Sequence, residues 1–89
     1  MKEFDKALIQ LTQVSTSDQA RRVVGMYTGR DEEDEEVRQI RMQIVRTIGL
    51  EKIQNLEAKE RLEKMQLEEV QKLSEMYTWK IMAEENSAQ

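Results

Sequence analysis

Residues 50–85 have the sequence LEKIQNLEAKERLEKMQLEEVQKLSEMYTWKIMAEE, and this stretch decides the fold class. It contains no Gly or Pro, and it is filled with Glu, Lys, Gln, Leu, Met and Arg, which lose little side-chain freedom in a helix. An acidic residue four positions before a basic one forms an ion pair that stabilises an isolated helix by roughly 0.2–0.5 kcal/mol. The pairs are Glu57–Arg61, Glu60–Lys64 and Glu68–Lys72. We therefore predict one helix of about 36 residues, roughly 54 Å long.

The apolar residues of this stretch share one broad side of the predicted helix at 100° per residue. They are Leu56, Leu62, Leu67, Val70, Leu73, Tyr77 and Ile81, with Met65 and Met76 at the edge. The best heptad frame places Glu60 and Glu63 in the middle of the seam, where a coiled coil needs apolar side chains. A band this wide favours packing between neighbouring helices, so we expect a bundle rather than a bare two-stranded coiled coil.

Two short helices are predicted within residues 1–29. Apolar residues recur there at helical spacing, as Phe4, Ala7, Leu8, Leu11 and Val14, and then as Ala20, Val23, Val24 and Tyr27. Thr16 with Gln19 has the form of a capping box at the start of the second helix. Gly29 is predicted to end that helix as the glycine just beyond its last turn.

Residues 30–36 form an acidic connection, with six consecutive acids at 31–36. The predicted third helix, residues 37–48, follows with Val37, Ile40, Ile44 and Ile48 as its apolar stripe. Acids at a helix N-terminus complement the helix dipole, so the run is interpreted mainly as a helix start. The alternatives are a docking patch for a basic partner or a mimic of nucleic-acid phosphate. A calcium loop would need alternating Asp or Asn and a central Gly, which the run lacks.

Gly49 decides the architecture. As a terminating glycine, it would end the third helix at Ile48, and the long helix would fold back as a hairpin with Leu50 touching Val45. Otherwise a single helix of about 55 residues would run through it. We favour the break, and we predict one all-α domain over residues 1–89. It consists of short N-terminal helices plus a helical hairpin or small bundle with one long C-terminal amphipathic helix, residues 50–85, and a tail at residues 86–89.

The composition excludes several classes of function. The chain has 89 residues with no Cys and no His, which removes the common nucleophile pairs, most zinc sites and the usual proton shuttle. Its three glycines form no phosphate-binding loop. We therefore expect no catalytic residue, metal, cofactor or small-molecule substrate. No apolar stretch suits a signal peptide or membrane span, so the expected location is the cytoplasm, with no membrane partner.

The net charge of −4 is concentrated in the acidic run. Outside that run, 12 acids stand against 14 bases, so the rest of the chain is nearly balanced. A uniformly acidic surface is not predicted.

The function predicted from these features is a non-catalytic protein–protein interaction module, such as a small regulator, inhibitor, adaptor or assembly chaperone. The short helices are too small to cover the far end of the long helix, and exposed Trp and Met side chains are frequent at interfaces. The partner is another protein or a second copy, most simply a homodimer. The alternative for Trp79 is contact with the chain's own short helices. The predicted interface residues are Leu67, Val70, Leu73, Met76, Tyr77, Trp79 and Ile81.

The alternative function is a dimeric DNA-binding regulator. The two short helices and the turn at residues 15–17 have the outline of a helix-turn-helix, with Arg21 and Arg22 in the first turns of its second helix. Only two Arg lie on that helix, and the neighbouring acidic run would repel phosphate. Nucleic acid is therefore the second choice of partner.

Overall fold

The computed structural model describes residues 1–87, which form three α-helices and no strand. Helix α1 spans Glu3–Gln13, α2 spans Ser17–Met26, and α3 spans Glu35–Ser87. The predicted all-α class, with short N-terminal helices and a long C-terminal helix, is confirmed. The chain divides into two compact units, Met1–Lys59 and a second unit that begins at Glu60.

Helices α1 and α2 bury the apolar faces that their spacing predicts. The buried residues on these helices and at the α2 cap are Ala7, Leu11, Ala20 and Tyr27. Partly buried neighbours pack against them: Phe4, Leu8, Val14, Val23 and Val24. The two short helices therefore supply most of the core of the first unit.

The predicted start of α2 is confirmed and its predicted end is wrong. The Thr16 hydroxyl accepts a hydrogen bond from the Gln19 amide N–H at 3.2 Å, and the Gln19 side chain accepts one from the Ser15 N–H at 2.9 Å. At the other end, the capping residue is Tyr27, with an extended backbone at φ −74°. Gly29 lies beyond it at φ +67°, where the connection to α3 turns, so it does not end the helix.

Helix α3 runs through Gly49, so the expected break there is wrong. Gly49 is buried, and a Cβ at this position would overlap Cγ2 of Val24 on α2 and lie 3.9 Å from Cδ1 of Leu11 on α1. Glycine therefore lets α2 lie directly on the backbone of α3. Leu50, expected to contact Val45 in a terminating turn, is 55% exposed.

The face of α3 that enters the core differs from the expected isoleucine stripe. Val45 and Leu56 are buried, and Met42 and Ile53 pack against the same core. At 100° per residue these positions lie within about 80° of one another and flank Gly49. The isoleucines of the expected stripe lie at the edge of that face or away from it and are exposed: Ile40, Ile44 and Ile48.

The acidic run starts α3, as the main interpretation predicts. The Asp34 carboxylate accepts hydrogen bonds from the N–H groups of Glu36 at 2.9 Å and Val37 at 3.3 Å, which caps the helix. Asp31 accepts a hydrogen bond from the Glu3 N–H at 2.9 Å and so caps the first turn of α1. Two of the six acids therefore accept hydrogen bonds from backbone N–H groups at the starts of two different helices, α1 and α3.

A third acid of the run, Glu32, is held between α1 and α3. Its side chain is 4% exposed, and it accepts hydrogen bonds from the Lys2 ammonium at 3.2 Å and from the Arg41 guanidinium. That guanidinium lies 5.0 Å from the ring centroid of Phe4, in cation–π geometry. The ion pairs and the ring contact join the connection before α3 to the first helix.

Tyr27 lies beside this cluster, with its ring centroid 6.3 Å from that of Phe4. Burial first, and the carboxylates of Glu3 and Glu32 after it, raise the pKa of the Tyr27 phenol. As the pH rises, the unfolded chain therefore loses the proton of Tyr27 before the folded chain does. The contribution of Tyr27 to the free energy of unfolding is present below about pH 10 and is lost above it.

Replacing Gly49 with Ala should destabilise the protein. Overpacking against Val24 costs about 1–3 kcal/mol, which exceeds the ~1 kcal/mol that Ala gains over Gly in a helix. The matched control is Gly25→Ala, because a Cβ there meets no atom within 4 Å, and it should stabilise by about 0.5–1 kcal/mol. Urea unfolding gives both free energies, and equal stabilisation by the two variants would contradict the close helix contact.

Replacing Glu32 with Gln should lower the free energy of unfolding by about 1–3 kcal/mol, because Arg41 loses its carboxylate partner in a largely enclosed position. The control is Glu33→Gln, an exposed neighbour that should change stability by no more than about 0.5 kcal/mol. Thermal unfolding followed by circular dichroism compares them. If both variants behaved alike, the acidic run would not be tied into the fold as described.

Candidate protein-binding surface

The unit that begins at Glu60 presents a concentrated set of exposed apolar side chains. Every residue from 61 to 86 is exposed, and ten large apolar side chains among them are 40–75% exposed. Single exposed apolar residues are normal on protein surfaces, but a set this dense on one helix marks a candidate interface. The ten are Leu62, Met65, Leu67, Val70, Leu73, Met76, Tyr77, Trp79, Ile81 and Met82.

All seven interface residues predicted from sequence belong to this set, and helical geometry groups them. Leu67, Val70, Tyr77 and Ile81 fall within about 80° of the helix circumference, and we call these four the seam residues. Leu73 borders them on one side, about 80° from Ile81. The seam residues and Leu73 therefore form one apolar face, and Ser74 is the polar residue within it.

Trp79 lies on the other side of the helix, about 160° from Ile81. It is 75% exposed and borders a shallow surface depression with Lys72, Glu75 and Met76. The alternative, a contact of Trp79 with the chain's own short helices, stays a prediction. The segment carries an apolar face and, separately, an exposed indole.

The helical state of this segment is supported by local interactions within it. Glu68 and Lys72 are spaced as a favourable i,i+4 pair, and the Thr78 hydroxyl donates to the Ser74 carbonyl at 2.9 Å. Isolated helices are marginal in water, and most helix stability in proteins comes from packing an apolar face. A partner that covers the apolar face would therefore stabilise the segment as well as bind it.

A second exposed apolar row lies in the first unit and was missed by the sequence prediction. Ile40, Ile44 and Ile48, which the sequence predicts as part of the apolar stripe of the third helix, are 60%, 37% and 42% exposed. Ile48 lines a groove with Leu8 and Thr12 of α1. The signal that could have placed this row outside is Gly49, whose missing side chain allows closer helix approach on a different face.

Arg21 and Arg22, the candidate nucleic-acid contacts, have different environments. The Arg21 guanidinium donates to the Asp18 carboxylate at 3.1 Å and also to the Glu57 carboxylate on α3. Arg22 is exposed and borders a groove between α1 and α2. The charge of Arg21 is thus matched by acids of the same chain, and its role in nucleic-acid binding stays a prediction.

Residues 1–87 hold no cluster of three acidic side chains placed to bind a metal ion. Over the same residues, no helix has an apolar stretch long enough to cross a bilayer.

Comparison with protein families, characterised proteins and solved structures finds no match to this chain.

Replacing Arg22 with Glu tests the nucleic-acid alternative without disturbing the ion pairs of Arg21. We expect neither the wild type nor this variant to bind a labelled DNA duplex at low salt, measured by fluorescence anisotropy, because Arg21 is already paired with acids of the same chain and Arg22 alone supplies too little basic charge. A wild-type affinity that falls steeply with salt and is lost in Arg22→Glu would favour the DNA-binding regulator instead.

Proposed function

We propose that this chain is a non-catalytic protein–protein interaction module that binds its partner through residues 61–86 of α3. A small regulator, inhibitor, adaptor or assembly chaperone of the cytoplasm fits this proposal. The partner is another protein, a second copy of the chain, or both.

The observation that carries the proposal is the exposure of ten large apolar side chains on one helical segment. Completing the burial of one such side chain contributes up to about 1.5–3 kcal/mol, so the seam residues and Leu73 together supply roughly 7–15 kcal/mol before costs. Association itself costs an estimated 4–15 kcal/mol, or more. The two ranges overlap, so the apolar face by itself supports binding of moderate strength at most, and Trp79 is available to add to it.

The residue types of the segment also support binding rather than catalysis. Neighbouring carboxylates such as Glu68 and Glu69 are exposed on the helix, where they are solvated and lack the differing environments that an acid–base pair needs. Met65, Met76 and Met82 are flexible and suit a surface that adapts its shape to a partner.

Replacing Leu73 with Asp should weaken partner binding at least about tenfold, because a charge is placed at the border of the apolar face, one helical turn from Tyr77. The measurement is capture of partners from the source lysate on the immobilised chain, with nuclease, followed by titration of the recovered protein. Trp79→Ala tests whether the indole takes part in the same complex.

The matched control is Ala83→Asp, which adds the same charge about 160° around the helix from Ile81 and should leave binding through the apolar face unchanged. Leu73 and Ala83 are both exposed, so circular dichroism should show equal helix content in the three proteins. If Leu73→Asp altered neither partner binding nor self-association, residues 61–86 would not be the binding surface.

A further inference from the structure

We propose that residues 64–86 of two copies of this chain pair as antiparallel helices, with Val70 of one copy opposite Ile81 of the other. The inference rests on the proposed function and names one occupant of the apolar face. It follows from the positions of the seam residues, of the glutamates around them and of the charges at the two ends of the segment.

The antiparallel alignment places apolar residues opposite one another at the centre. Val70 faces Ile81 of the second copy, and Ser74 faces Tyr77, so the phenol fills the space that the small side chain leaves. The same two layers repeat on the other side of the two-fold axis. Each Leu67 meets the aliphatic part of Glu84 at the open ends of the pair, where the carboxylate stays in water.

The glutamates argue against the parallel alignment in register. In that arrangement Glu63 and Glu84 would each face their own copy across the seam, and like charges directly opposite one another are destabilising. A shift of the antiparallel pair by one heptad, which places Glu63 opposite Ile81, brings Lys64 beside Thr78 and so loses its pairing with Glu85. The proposed register leaves Glu63 outside the central layers.

Charge complementarity at the flanks favours the same register. Lys64 of one copy comes beside Glu85 of the other, and the two-fold axis generates this pair twice. Both side chains are exposed. The antiparallel arrangement also sets the helix dipoles in opposite directions.

The size of the contact predicts a reversible dimer. On pairing, each of the four seam residues and Leu73 loses roughly 60–120 Å² of solvent-accessible surface. Two copies therefore bury about 600–1,200 Å² through these side chains alone. Flanking polar residues add to this area, and a specific interface has to clear about 1,000 Å². A dissociation constant in the micromolar range is expected.

Trp79 lies about 160° from Ile81, so pairing through the seam leaves the indole exposed. The dimer would thus keep Trp79 and the depression beside it free for a different protein. Trp79→Ala should leave self-association unchanged.

Disulfide cross-linking tests the alignment, and the absence of native Cys makes single introduced cysteines unambiguous. Two full-length variants, Val70→Cys and Ile81→Cys, one of them carrying a size tag, are oxidised separately and as a mixture. The antiparallel register predicts a mixed disulfide in the mixture and little cross-linking of either variant alone. Efficient cross-linking of each variant with itself, without the mixed product, would establish the parallel alignment and overturn the proposal.

A charge exchange gives a second, independent measurement. Lys64→Glu alone should weaken self-association about two- to tenfold at low salt, and adding Glu85→Lys should restore it. Sedimentation velocity between about 1 µM and 1 mM reports the dimer. If the double variant stayed as weak as the single one, the two residues would not be neighbours.

The outcomes separate this inference from the proposed function. A chain that remains monomeric over the whole concentration range, yet binds another protein in a manner sensitive to Leu73→Asp, overturns the pairing and leaves the proposed function in place. If the Leu73→Asp variant kept both partner binding and self-association, the proposed function would be overturned as well.

Discussion

The contact between α2 and α3 at Gly49 determines how the first unit is packed. Because Gly49 has no side chain, Val24 reaches the backbone of α3, and Leu11 comes close to the same point. This approach turns Val45 and Leu56 inward and leaves Ile44 exposed. The choice of face is a packing result, since the isoleucine row is at least as apolar as the row that is buried. Gly49 therefore permits a close contact between helices instead of ending α3. Glycine costs about 1 kcal/mol relative to alanine inside a helix, and the packing that Gly49 permits offsets this cost.

The acidic run shows how a strongly charged segment can be structural. Asp31 and Asp34 cap the starts of α1 and α3, and Glu32 is nearly enclosed between Lys2 and Arg41. Three of the six carboxylates are thus used to position helices. The local charge that sequence suggests for a docking patch is therefore partly neutralised by the fold.

The candidate protein-binding surface has the opposite character, since it consists of apolar side chains that the fold leaves exposed. In residues 61–86 the apolar side chains are all exposed, while most of those of α1 and α2 enter the core. The seam residues and Trp79 lie on different sides of the helix, which allows two contacts on one segment. The proposed antiparallel pairing uses the first and leaves the second open. Such a division would let a small chain without catalytic chemistry join copies of itself to another protein.

Sequence alone determined the features that depend on neighbours along the chain. Local propensity and 3.6-residue periodicity, which act within one or two turns, predict the helices, the Thr16 cap and the buried faces of α1 and α2. The apolar residues of 61–86 can be read directly from the sequence. The continuity of α3 at Gly49, the burial of Val45 in place of the isoleucines, and the ion pairs of Arg21 and Glu32 were decided only by tertiary structure. Each of these depends on which residue from a distant part of the chain lies opposite, and periodicity carries no information about that.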